Sequence, residues 1–220
     1  MDWDELNTRV WRGSGAAAAR AVIATGFREL DSYLPGGGWP KGAITEIFVD
    51  GYGIGELALL MPALASLTLA APARARKWIA WVAPPFVPYA PALRQHGVDT
   101  ECLLMIHPAQ GNRSRLWAVE QTVRSGSSAG VLAWITDADD VILRRLQLAA
   151  EDQQCWTVLF RPQNARLQRS PAALRIVLSQ HAAVTRVQIL KCRGARPGVV
   201  DIERPLLVSG PRRVVAEARP

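Results

Sequence analysis

Apolar and polar positions follow two rhythms along the chain. Short runs rich in β-branched and aromatic residues read as strands: Ile44–Val49 (I-T-E-I-F-V), Trp78–Val82, Cys102–Ile106, Gly130–Ile135, Trp156–Phe160, Leu174–Leu178 and Val184–Cys192. Longer stretches over Leu57–Ala71, Pro88–Gln95, Arg113–Arg124 and Asp137–Gln154 read as helices. Pro62 is expected to bend the first of these or to delay its regular part. Gly97 supplies the C-terminal cap of the second, and acids open the last, where a helix N-terminus favours them. Gly130–Ile135 is nearly all apolar, as a central parallel strand tends to be. Strands alternating with helices imply βαβ units, and so an α/β fold with a mostly parallel central sheet flanked by helices. The last strands follow one another without helices, which predicts an antiparallel edge at the C-terminal side.

The ends of the chain read differently. Asp4–Trp11 predicts a short amphipathic helix, and Gly13-Ser14-Gly15 with the following Ala run reads as a linker. The expected organisation is an arm over residues 1–20, a core domain over 21–193 and a basic segment over 194–220 with recurrent Pro and Gly. That last segment reads as a partner-docking tail, its apolar patches Val199-Val200, Leu206-Leu207-Val208 and Val214-Val215 separated by Arg204, Arg212 and Arg213. Over Val199–Val208 a final hairpin on the domain's own sheet is the alternative.

Composition sharpens this picture. With 220 residues, 49% hydrophobic and 20% charged, the chain can build one sizeable core. Residues 161–220 hold twelve Lys and Arg, eleven of them Arg, against three carboxylates, so they carry the whole of the +7 net charge. Such a lopsided arginine excess favours an anionic partner, nucleic acid or an acidic protein surface. Three separated cysteines without a CxxC pair argue against a disulfide framework or a zinc site and for a reducing compartment. The acidic start has no signal-peptide character, and Leu57–Ala71 is too short to span a bilayer, so a cytoplasmic location and no membrane partner are expected. His96, His107 and His181 have no ligands at metal spacing, and Asp137, Asp139 and Asp140 read as acids at a helix N-terminus. No metal or cofactor is expected. Among eight tryptophans, Trp78, Trp81, Trp134 and Trp156 are expected in the core, and Trp3, Trp11 and Trp39 as interface anchors.

The loop Asp50-Gly51-Tyr52-Gly53-Ile54-Gly55-Glu56-Leu57 joins the first long strand to the first long helix. Strand, glycine-spaced loop and helix is the architecture of a phosphate cradle. It needs converging backbone N–H groups, a Lys for the β/γ-phosphates and a Ser or Thr for Mg²⁺. With Gly55 as the final glycine, the Lys position holds Glu56 and the Ser/Thr position Leu57. A carboxylate repels a triphosphate, and Leu cannot ligate a cation. The residues alone leave a plain tight turn through Gly51, Gly53 and Gly55 as the other account.

The surrounding motifs carry a family resemblance. Thr25-Gly26-Phe27-Arg28-Glu29-Leu30-Asp31, then Pro35-Gly36-Gly37-Gly38-Trp39-Pro40-Lys41-Gly42, then Ile44-Thr45-Glu46-Ile47-Phe48, resembles the opening of the RecA ATPase core. In the same order, Tyr89-Ala90 with Leu93, His96-Gly97-Val98-Asp99, Leu103-Leu104 and Pro108, then Val123-Arg124-Ser125-Gly126, then Arg186–Lys191, look like further segments of that core. The resemblance covers roughly residues 21–203 and implies a RecA-like core with a degenerate P-loop. Gly53-Ile54-Gly55-Glu56-Leu57-Ala58-Leu59-Leu60-Met61-Pro62-Ala63-Leu64-Ala65 is similar to the phrase G-x-G-E-L-x-L-L-x-P-A-L-A of the ImuA family of translesion-synthesis accessory proteins.

What the resemblance implies is a non-catalytic protein. The strand expected to end in a Walker B Asp runs through Ile135 into Thr136, with Asp137 as a displaced substitute, and Val82-Ala83-Pro84-Pro85 holds no carboxylate to activate water. The first DNA-contacting loop shrinks to Asp137–Asp140 and the second to Pro162–Ser170, which keeps Arg161, Arg166 and Arg169 as contacts for DNA or a partner. The implied role is an adaptor in a DNA-damage-induced mutagenesis complex, associated with the nucleoid on damage. It would bridge an ImuB-type Y-family polymerase-like protein, an error-prone C-family polymerase and RecA, with weak non-specific DNA binding. The alternatives are a SulA-like cell-division inhibitor that binds FtsZ, and a residual nucleotide-binding ATPase.

Overall fold

The computed structural model describes residues 21–69, 76–181 and 184–203. Strands β1 (Val22–Ile23) and β2 (Trp39–Pro40) pair antiparallel and bracket helix α1 (Arg28–Tyr33). The main sheet is built from β3 (Ala43–Val49), β4 (Trp78–Val82), β5 (Leu103–Ile106), β6 (Ser128–Trp134), β7 (Trp156–Pro162), β8 (Leu174–His181), β9 (Val184–Cys192) and β10 (Gly198–Glu203). Their spatial order is β10-β9-β8-β3-β7-β6-β4-β5. From β8 to β5 every pairing is parallel, whereas β8–β9 and β9–β10 are antiparallel. The expected α/β class, parallel sheet and antiparallel C-terminal edge are all present.

Helices cover both faces. On one face α1, α2 (Met61–Leu69) with the turn before it, and α3 (Ala90–Gln95) bring Leu30, Leu60, Leu64 and Leu93 onto Ile47, Trp81, Trp134 and Phe160. On the other, α4 (Asn112–Arg124) and α5 (Asp140–Gln153) bring Leu116, Val119, Val123, Leu143 and Leu146 onto Ile44, Val131, Ala133 and Leu159. β3 is buried along its whole length, as expected of a strand covered on both faces and paired on both edges. Pro62 acts as predicted: a 3₁₀ turn over Ala58–Leu60 precedes α2, and the proline lies in the first α-turn, where its missing N–H matters little. Gly26, at φ +83°, packs on that turn so closely that an added Cβ would lie 2.3 Å from Pro62 Cβ.

Several expectations are corrected. The tail expected from Gly194 gives way, over Gly198–Glu203, to the alternative of a final hairpin on the domain's own sheet: β10 pairs with β9, buries Val200 and Ile202 and holds Asp201 against Arg186 Nε and Nη2 at 2.7 and 2.9 Å. Trp39 is no interface anchor: it is fully buried, its ring 6.0 Å from that of Trp156. Trp78, expected in the core, is exposed because it begins β4 at the rim of the sheet. The helix expected from Asp137 starts at Asp140, with the Asp139 carboxylate capping it by accepting from Ile142 N at 2.7 Å. Residues 1–20 and 204–220, with Trp3, Trp11 and the arm and tail expected there, lie outside the described residues. Among the described residues no helix is long and apolar enough to cross a membrane.

The two long helices are clipped together by a charge. Glu120 on α4 accepts from Arg124 Nε at 2.9 Å and from Arg145 Nη2 on α5 at 2.6 Å. Burial works to raise the Glu120 carboxyl, but the bonds from Arg145 and Arg124 outweigh it and hold the group below its ordinary value of 4.5. A carboxyl depressed in the folded state adds stability above its unfolded pKa and loses it as pH falls through the folded one. Glu120→Gln is therefore expected to destabilise the protein by about 1 kcal/mol at neutral pH, both arginines being half exposed. In urea titrations the gap between variant and wild type should close as the pH is lowered below the ordinary carboxylate range.

Candidate functional site

The loop after β3 is organised around its own carboxylate. Gly53, at φ +83°, turns its N–H inward with that of Ile54, a left-handed conformation that favours glycine. Glu56 is buried and receives both donors: Gly53 N lies 2.8 and 3.1 Å from its two oxygens, and Ile54 N lies 2.9 Å from one of them. Successive backbone N–H groups of this kind form an anion-binding concavity. Here the anion is internal. Leu57 packs against the apolar layer beneath α1 and α2, Gly51 is exposed, and Gly55, at φ +102°, approaches Gln180 and Thr185. Tyr52, partly exposed, belongs to the same loop; burial raises its phenol, Arg115 opposes the shift and Glu56 adds to it.

A second charged cluster lies under the neighbouring loops. Glu46, at the centre of β3, is fully buried between two arginines: Arg161 Nη1 on β7 at 2.5 Å and Arg175 Nε on β8 at 2.7 Å. Arg161 also donates to Gln168 Oε1 at 2.6 Å and to Ala138 O at 3.4 Å. Arg175 donates to Ala165 O at 3.5 Å and lies 5.0 Å above the Phe48 ring. Lys191 stands nearby, its amine pushed down by burial and by Arg175 and Arg193 while it donates to Ser170 O at 2.8 Å. The cluster thus holds more positive than negative charge and binds the loops after β6 and β7 to the sheet.

These contacts divide the residues expected to act. Arg161 is corrected: with no exposed surface it cannot touch DNA or a partner, because a carboxylate in the middle of a buried strand requires it. Arg166 and Arg169 are exposed on the loop that Arg161 holds, and Arg169 borders an open groove with Asp140, Arg144, Ser170 and Pro171. Arg204, Arg212 and Arg213 lie outside the described residues. Asp137 is tied into the loops: its carboxylate accepts from Gln168 Nε2 at 3.3 Å and its carbonyl from Asn112 Nδ2. Among the described residues no group of His, Cys, Asp and Glu is placed to hold a metal. Ala83, at φ +53°, turns the chain out of β4 into Pro84 and Pro85, with no carboxylate at this point. Cys102 and Cys155 are buried free thiols, and burial pushes Cys155 up to about 11. The reading from sequence missed the Glu46 cluster, although a lone Glu inside a seven-residue apolar strand was the available signal.

Neither a family model nor a curated protein matches this chain, so the roles of these residues rest on their geometry. Glu46→Gln leaves two arginines buried without a counter-charge and is expected to cost about 3–5 kcal/mol. Urea unfolding followed by circular dichroism checks this, and a loss below about 1 kcal/mol, that of an ordinary surface pair, would show that water already reaches the cluster.

Proposed function

We propose that this chain is a non-catalytic adaptor of RecA-like architecture with a degenerate P-loop, serving a DNA-damage-induced translesion-synthesis assembly. One observation carries the reading: the Glu56 carboxylate occupies the N–H groups of Gly53 and Ile54 that an external phosphate would need. The side chains around the loop support it. Leu57, partly buried, packs against the core where a cation ligand would be needed, and the chain leaving β4 at Ala83-Pro84-Pro85 offers no base. The collinear motifs from Thr25 to Lys191, and the Gly-Ile-Gly-Glu-Leu phrase above all, give the reading its family and its partners: an ImuB-type polymerase-like protein, an error-prone C-family polymerase and RecA. The contribution to DNA is weak. Arg166 and Arg169 offer phosphate contacts without base readout, which bind independently of sequence and weaken steeply with salt.

Calorimetry with ATP and Mg²⁺ is expected to show no binding heat, and the protein no ATP turnover; micromolar binding would overturn the reading. Glu56→Lys alone is expected to leave turnover absent, because it restores neither a cation ligand at Leu57 nor a carboxylate near Pro84. Co-purification with an ImuB-type protein and not with FtsZ is the expected partner result. The reverse outcome would assign the chain to cell-division inhibition.

A further inference from the structure

α4 and α5 lie side by side on one face of the sheet and turn most of their large apolar side chains inward. Three face outward: Trp117 is 64% exposed, Val141 66% and Leu148 59%. They belong to one patch. Trp117 lies one turn before Glu120, and the bonds from Glu120 to Arg145 fix the turn of α5 that stands beside it. Val141 and Leu148 fall four residues before and three after Arg145, on its own side of α5. The three apolar side chains therefore surround an ion-paired clip whose arginines are held in place by a nearly buried carboxylate.

The patch also carries a positive excess, with Asp140 paired to Arg144 and Asp152 exposed one turn beyond Leu148. Arg124 and Arg145 share the single Glu120 carboxylate, which leaves one cation in excess. Arg113, exposed one turn before Trp117, has no ion pair among the described residues and adds another. Tryptophan and arginine are the residue types enriched in protein-interface hot spots, and near-neutral neighbours such as Val141 and Leu148 serve to exclude water around them. Pre-ordered arginines also lose less entropy when a partner binds.

We propose that this outward face of α4 and α5 is a docking surface for an acidic amphipathic segment of a partner protein. The partner's apolar side chains cover Trp117, Val141 and Leu148, and its carboxylates meet Arg113, Arg124 and Arg145. Nucleic acid fits the face less well. One exposed ring offers a single stacking platform, and the two aliphatic side chains offer none. None of these residues belongs to the glycine loop, so the inference goes beyond the adaptor reading and stands apart from nucleotide chemistry.

The test uses the full chain, isotopically labelled at tryptophan and titrated with a short peptide of Leu and Glu in helical register. A scrambled peptide of the same composition and a single-stranded oligothymidine are titrated in parallel. The expected result is a saturable shift of the Trp117 indole signal by the first peptide alone, with the indoles of buried Trp39, Trp81, Trp134 and Trp156 unmoved. Leu148→Ser and Arg113→Ser should each weaken that binding roughly tenfold while leaving the buried indole signals in place as evidence of an intact fold. The proposal is overturned if Trp117 does not shift, if the scrambled peptide shifts it equally, or if the two variants bind like wild type. A shift by oligothymidine and not by the peptide would overturn it in favour of nucleic acid. Failure here leaves the calorimetric and co-purification tests of the adaptor reading unaffected.

Discussion

Glu46 occupies the least forgiving position in the molecule, the centre of a strand paired on both edges and covered on both faces. A carboxylate there is tolerable only if protein donors replace its water, and the attraction offsets the desolvation only when the geometry is good. β7 and β8, the two strands that flank β3, each supply an arginine at bonding distance. The same arginines reach past the carboxylate to Ala138, Ala165 and Gln168. The register of three central strands and the placement of two loops beyond them therefore depend on one charge. The exposed Arg166 and Arg169 stand where they do because Arg161, beneath them, is not free to reach the surface.

The glycine loop applies the same rule on a smaller scale. A tethered carboxylate competes for the Gly53 and Ile54 N–H groups at an effective concentration that an external anion does not match, and it repels that anion as well. The loop then acts as a structural closure. It fixes the start of the helical segment, keeps Leu57 in the apolar layer and brings Gly55 against the β8–β9 hairpin.

Much of the fold was legible because its strands are apolar runs punctuated by Pro and Gly. Trp78–Val82 and Val184–Cys192 match the structure at both ends, and the helices over 88–95 and 113–124 match within two residues. β10 was legible only as an alternative to a docking tail, since its alternation of Val200 and Ile202 spans few residues between turn-forming neighbours. Trp39 sits in a two-residue strand, too short to carry a period, so its burial beside Trp156 was not readable. Glu56 stood out as a departure from a phosphate cradle, yet its bonds to backbone N–H groups follow from a left-handed Gly53 that no pattern announces. Arg161 was misread because its burial is decided by Glu46, 115 residues away along the chain. Trp117 lies in a correctly predicted helix, but the face that helix turns outward is set by packing against α5.

These internal carboxylates bear on where function can reside. Glu46, Glu56 and Glu120 are each engaged by donors of their own chain, the first two without solvent contact of any consequence. An external anion at Glu46 or Glu56 would meet donors already taken by a carboxylate of the chain itself. Surfaces held rigid by such bonds suit a different task. They present side chains in fixed positions to a second macromolecule, which lowers the ordering cost of association. The Arg161 strut does this for the loop that carries Arg166 and Arg169, and the Glu120 clip does it for Trp117, Val141 and Leu148.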